Sequence, residues 1–179
     1  MKIVQAPDAF LSTKAKQIKK IDKELLALIE EMKETLLFAS DPEGVGLAAP
    51  QIGKPIQLFI AKPEKTSPFS VFINPAVKLL EPAVIRKNSK GHSKLEGCLS
   101  IKDIWGTVER APKVEVTFQN EHGMTQKKIF SGFPAIIIQH EQDHLEGILF
   151  PRRVLEQGGK LYKSHKDQNG EDVYDLIEL

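Results

Sequence analysis

The residues most able to do chemistry stand close together in the stretch Ile136 to Gly147, which reads IIIQHEQDHLEG. His140, Glu141 and His144 form His-Glu-x-x-His. On a helix, residues four apart lie one above the other on the same face. Both imidazoles then face one cation, and Glu141 on the adjoining face reaches a water beside it. Ile136, Ile137 and Ile138 precede the motif and Leu145 follows it, the setting of a buried helix. Buried imidazoles and a carboxylate need their polar groups satisfied, and metal coordination does so. The five-letter pattern also arises by chance, so the metal reading leans on this apolar setting and on a third ligand elsewhere.

Cys98, within EGCLS at 96–100, is the one cysteine of the chain. A free cysteine is most often a small buried hydrophobe. It is also a nucleophile, with His140 or His144 as base, or a metal ligand. Two imidazoles and one thiolate leave a fourth position open, the ligand count of a catalytic rather than a structural site. A single cysteine excludes an intramolecular disulfide and fits a reducing compartment.

The elements that position these groups follow from periodicity. Ile18, Ile21, Leu25, Leu28, Ile29, Met32 and Leu36 recur at helical spacing, which predicts an amphipathic helix over 12–39. Ser12 reads as its N-cap, and Asp41-Pro42 as its stop. Gly44 to Gly53 is small and glycine-rich, with Gln51 offering a neutral amide donor. No strand-GxGxxG-helix unit is present, which excludes a dinucleotide site. Strands are predicted at 57–61, at 71–74 before Pro75, at 77–80, at 83–87 and entering at Trp105 to Arg110. Segments 114–118 and 126–130 read as a hairpin. Pro134 opens the metal helix and Gly147 closes it. Asn169-Gly170 centres a C-terminal hairpin over 161–179. His92, His122 and His165 fall in polar segments and read as solvated.

The 179 residues, 41% hydrophobic and 27% charged, suit one domain over 1–179. A net charge of +1 argues against direct nucleic-acid binding. No apolar run approaches the roughly 20 residues of a membrane span. The N-terminus lacks the apolar core of a signal peptide. The reading is therefore cytoplasmic, with no membrane partner.

GVGLAAPQ at 44–51, EGCLS at 96–100 and QHEQDH at 139–144 resemble, in order and spacing, the three signature motifs of the peptide deformylase family. With the periodicity above, the resemblance implies an α+β fold. A long N-terminal helix and a buried HExxH-bearing helix pack against mixed, mainly antiparallel β-sheets, with a C-terminal hairpin. It implies a metal-dependent hydrolase that removes the N-terminal formyl group from formyl-methionyl nascent polypeptides at the ribosome exit, releasing formate. The implied cofactor is Fe(II), with Zn, Ni or Co able to substitute, held by Cys98, His140 and His144. Metal-bound hydroxide attacks the formyl carbon and Glu141 acts as acid–base. The Gln51 side chain and the Leu99 backbone N–H stabilise the oxyanion, each such donor being worth about 3 kcal/mol. The peptide lies extended along Val45, Gly46 and Gly97, a form of strand addition. Its methionine enters a pocket of Ile136, Ile137 and Val45 with Glu96 at the rim.

Two departures bear on peptide affinity: Lys102 where many members have proline, and Trp105 where some have arginine. Arg110 reads as a structural ion pair with Asp143 or another acid. The alternative is a catalytically weak, deformylase-like protein that binds peptides or ribosomes. An HExxH zinc peptidase takes its third ligand downstream, where only His165 on the polar tail remains. A structural metal site needs four protein ligands, and three are in view.

Overall fold

The structure, a computed structural model, describes residues 1–39 and 43–178. The expected helix stop at Asp41-Pro42 and the terminal Leu179 lie outside the described residues.

The first long helix, α1 (Lys23–Phe38), starts later than the periodicity predicts. Its N-cap is Asp22, whose side chain accepts from the Leu25 N–H at 3.1 Å. Residues 9–12 instead form one 3-10 turn, and the chain from 13 to 22 is tied to distant backbone. Ala15 N–H donates to Leu145 O and Lys16 N–H to Pro55 O, each at 2.8 Å. Ile18 N–H donates to Asn74 Oδ1 at 2.8 Å. These bonds replace the local ladder that a helix needs. Ile18 and Ile21 still pack against the α1 core, so the apolar stripe continues although the helix does not.

Among the described residues eleven strands make up the sheets, and every named pair is antiparallel. They are β1 (Gly46–Ala48), β2 (Leu58–Ala61), β3 (Ser70–Leu79), β4 (Val84–Ile85), β5 (Glu96–Cys98), β6 (Ile101–Gly106), β7 (Glu109–Arg110), β8 (Lys113–Gln119), β9 (Thr125–Ser131), β10 (Leu161–Lys166) and β11 (Asp172–Leu176). A parallel contact occurs as a single bridge, Lys16 with Ile56. The large sheet has the order β1-β2-β3-β8-β9, the second β11-β10-β6-β5, and β4 pairs with β7.

β2 is buried at all four positions because both faces of the large sheet are covered. Leu58 and Ile60 join Leu25, Ile29, Met32 and Leu36 of α1. Phe59 and Ala61 face the other way, toward Ile137 and Ile138 of α2 (Phe133–Leu145). Strand alternation thus feeds two cores from one run of apolar residues.

β3 does not stop at Pro75. The ladder shifts register between Ile73 and Ala76, with Asn74 at φ 50°, and the missing proline N–H falls at that bulge. A short helix, α3 (Phe150–Glu156), has Pro151 in its first turn. The C-terminal hairpin forms, but through a longer loop than Asn-Gly predicts. Asp167 Oδ1 accepts from Asn169 N–H at 2.8 Å and Glu171 N–H at 2.9 Å. Among the described residues no helix is long and apolar enough to cross a membrane.

Candidate active site

α2 carries its functional residues because both ends are firmly set. Pro134 lies in the first turn. At the far end Gly147 sits at φ 71°, and Ile148 N–H donates to Asp143 O at 2.8 Å. That is a Schellman stop, which glycine alone adopts without strain. Gln139 locks the helix sideways onto Ala111, the residue just after β7. Its amide accepts from Ala111 N–H at 3.0 Å and donates to Ala111 O at 2.8 Å.

Cys98, at the end of β5, then meets His140 and His144 of α2. One ligand atom from each lies within 4.8 Å of the others. Cys98 Sγ and His144 Nε2 are 3.2 Å apart. A tetrahedral ion with bonds of about 2.0–2.3 Å has ligand edges of roughly 3.3–3.7 Å, so this triangle fits one with little adjustment. The donor set suits Fe(II) or Zn. His140 Nδ1 lies 2.7 Å from Glu96 Oε1, which leaves Nε2 for the ion. Burial lowers His140, but Glu96 outweighs it and holds the ring's pKa well above the ordinary value. With Nδ1 held by Glu96, Nε2 would be the atom to hold a cation. Burial, then the neighbouring His140, holds His144 well below its ordinary value, in the neutral form that binds metal.

Glu96 is the hub of a buried ion network. Arg110 donates to it through Nε at 3.1 Å and Nη2 at 2.7 Å. The remaining arm of Arg110, Nη1, donates to Asp143 Oδ2 at 2.6 Å. Arg153 Nη2 closes the chain on Asp143 Oδ1 at 2.7 Å. Burial pushes the Glu96 carboxyl up, but His140 and Arg110 outweigh it and bring it to about 2. The expected Arg110–Asp143 pair is present, with Glu96 as a second acid. Glu96 lines the cleft, yet its carboxylate is engaged by His140 and Arg110 rather than offered to the rim.

Glu141 is 3% exposed, and its Oε2 has no hydrogen-bond partner among the described residues. Burial raises its pKa to about 7, against the pull of His140. Gly46 of β1 packs directly on it. A Cβ there would collide with Glu141 Oε1 and with Ile137 Cγ2.

Gln51 is fixed by its own loop. Its Oε1 accepts from Ala48 N–H at 2.8 Å, so its amide N–H₂ turns toward Ser100 Oγ at 3.2 Å and Cys98 Sγ at 3.6 Å. The N-terminal segment braces this corner. Val4 N–H donates to Gln51 O at 2.7 Å, and Gln5 Nε2 to Leu99 O at 3.0 Å.

A cleft of about 320 Å³ opens over this corner. Val45, Gly46, Gln51, Glu96, Gly97, Cys98, Leu99, Ile136, Ile137, His140 and Glu141 all line it, while His144 lies buried behind. Sequence reasoning did not anticipate Val84, Arg86, Lys94 and Phe133 on the same walls. Residues 83–95 carry no motif, and only the fold brings them to the cleft.

A cation site, a carboxylate of raised pKa to move a proton and an oriented amide for developing charge are the apparatus of a metal-dependent hydrolase. Comparison with known proteins narrows that class. A family model described as polypeptide deformylase matches residues 1–159. The peptide deformylase of Aquifex aeolicus is 40% identical over 176 residues, covering 92% of this chain and 98% of that protein. That of Pseudothermotoga lettingae is 38% identical over 143 residues, covering 80% of this chain and 76% of that protein. The crystal structure of the Thermotoga maritima peptide deformylase superposes with a TM-score of 0.74 at 33% identity, covering 85% of this chain and 95% of that one.

The chain belongs to the polypeptide deformylase family. It is a metal-dependent hydrolase that removes the N-terminal formyl group of formyl-methionyl peptides.

Proposed function

We propose that the catalytic ion is Fe(II), held by Cys98, His140 and His144, and that Zn, Ni or Co can take its place. The close triangle of one thiolate and two imidazoles supports this donor set. Bound there, the ion supplies Lewis acidity and lowers the pKa of a coordinated water. Glu141 accepts the water's proton and returns it to the leaving amine. Gln51 Nε2 and the Leu99 N–H donate to the oxygen on which negative charge develops. Glu96 keeps His140 in the tautomer and orientation that present Nε2.

The formyl-methionyl chain lies extended between Val45-Gly46 and Gly97. Its methionine side chain rests on Ile136, Ile137 and Val45. The substrates are nascent chains met at the ribosome exit, in the cytoplasm. One catalytic domain spans residues 1–179.

The observation that carries these roles is the unpartnered carboxylate oxygen of Glu141 in the cleft that Cys98 and His140 also line. Formate release from a formyl-Met tripeptide, by anaerobic protein loaded with Fe(II) or Ni(II), tests them. Glu141→Gln is expected to lower kcat by about 10²–10⁴-fold with full metal content. Equal rates in the two proteins sink the role of Glu141. No formate from folded, metal-loaded parent favours a peptide- or ribosome-binding protein of weak activity, which peptide affinity then measures.

A further inference from the structure

The wall of the cleft built by residues 83–95 has no part in the hydrolytic chemistry. It contains Arg86, Lys87, Lys90 and Lys94 and no acidic residue. The segment is a hairpin. Asn88 Oδ1 accepts from Lys90 N–H at 3.0 Å and His92 N–H at 2.9 Å, and Lys87 bridges to Ser93. Lys94 N–H donates to Arg86 O at 2.7 Å, so these two residues oppose each other across the hairpin. Both line the cleft.

Two like charges placed opposite each other on neighbouring strands repel. Neither side chain has an ion pair or hydrogen bond among the described residues. Glu96 is the carboxylate whose charge acts on Arg86. Both oxygens of Glu96 are already taken by Arg110 and His140. Across the cleft, Glu43 is turned to Lys65 at 3.8 Å. Arg86 is half-buried and aimed, its guanidinium lying 4.8 Å from the centre of the Phe133 ring at the cleft edge. A cation held against an aromatic ring keeps its N–H groups free at the rim of the guanidinium plane.

We propose that Arg86 and Lys94 form a carboxylate-binding subsite that makes this enzyme favour formyl-methionyl peptides with an acidic group close behind the methionine. This rests on the placement of the peptide along Gly46 and Gly97 given above. From Lys94 to Cys98 is four residues of extended chain, about 13 Å. A peptide with its formyl group at Cys98 that follows this wall passes Lys94 within its first four residues. The carboxylate is either an Asp or Glu side chain at the second to fourth position, or the free C-terminus of a short peptide.

The test is a kcat/KM matrix on metal-loaded protein. Amidated formyl-Met-Ala-Ala-Ala carries Asp, Asn or Lys at one of the positions after methionine. Formyl-Met-Ala is used as free acid and as amide. The proteins are the parent, Arg86→Gln, Arg86→Lys and Lys94→Gln, with Lys20→Gln, exposed on the segment before α1, as a control. The parent is expected to favour Asp over Lys by about fivefold at one position, the upper range for a part-exposed ion pair. That preference is expected to shrink on adding salt. Arg86→Gln reduces the ratio to within twofold and Arg86→Lys keeps most of it, while both retain the parent's rate on the neutral amide. A preference confined to the free acid of formyl-Met-Ala assigns the subsite to the C-terminus; one confined to amidated Asp peptides assigns it to side chains. No charge preference in the parent overturns the proposal. So does a preference unchanged in Arg86→Gln, or an equal loss on acidic, neutral and basic peptides, which makes Arg86 a packing residue on Phe133. Activity on the neutral amide stands apart from all of these and reports on the hydrolytic roles alone.

Discussion

Glu96 shows how one residue links chemistry to stability. Its side chain is 13% exposed and holds His140 with one oxygen while Arg110 grips both. Removing its charge frees the His140 ring to turn and leaves Arg110 with Asp143 alone. Glu96→Gln is expected to weaken metal binding by about 10–100-fold, read by competition with a chelator. The same pairing governs the acid limb of stability. The carboxyl is held at about 2 in the folded protein against an ordinary 4.5, so it favours the folded state in full above pH 4.5. That contribution fades as pH falls from 4.5 toward 2 and the group protonates. Denaturant unfolding across this window is expected to show a steeper loss in the parent than in Glu96→Gln. Parallel curves for the two proteins count against it.

At the scale of elements, β1 and α2 approach so closely that side-chain bulk has no room between them. Gly46 lies on the Glu141 carboxylate and the Ile137 methyl. Gly46→Ala is expected to displace Glu141 while the cores on either side of β2 hold. The outcome is a loss of about 10²-fold in kcat/KM, with an unchanged circular dichroism spectrum and metal content. The second sheet uses a larger brace. Trp105 Nε1 donates to Ser164 Oγ at 3.0 Å, its ring meets Tyr174 edge-on at 5.8 Å, and the same ring packs on Gly97. The C-terminal hairpin, which lies beyond the residues matched by the family model, therefore props the cleft wall at Trp105 and Gly97. Trp105→Ala is expected to raise KM for formyl-Met peptides several-fold and leave kcat nearly unchanged. A change in kcat alone contradicts that division of labour.

Over the whole molecule, the site is a seam where α2, buried on one face of the large sheet, meets β5 of the second sheet. Cys98 packs with Phe150 and Val154, and the Arg110–Glu96–His140 and Arg110–Asp143 pairs tie β5 to α2 beside that packing. Removing metal with a chelator is expected to lower the melting temperature, and adding Ni(II) to restore it, because an ion bound only by the folded state stabilises it by mass action. An unshifted midpoint shows that the two sheets are held by packing alone. The order of the chain explains which parts of this were legible. The HExxH helix, its glycine stop at Gly147 and the VEVTF hairpin are local patterns, and they stand where the periodicity puts them. The extended run from 13 to 22 has helical spacing too, yet Leu145, Pro55 and Asn74 claim its backbone.

The sequence by itself determined the family and the candidate ligand set, because ligand spacing on one helix and three short motifs are properties of neighbours in the chain. It also marked LFIA as a strand and the α1 stripe as a core-facing helix, while the covering of both faces of that strand came from the packing. Only the tertiary structure decided that the Glu96 carboxylate turns to His140 and Arg110, that Val4 and Gln5 brace the Gln51 and Leu99 corner, and that Arg86 faces the cleft from a hairpin without a motif. Each of these is a contact between residues dozens of positions apart. Such contacts are set by how strands and helices pack, and no local pattern of residues encodes their geometry.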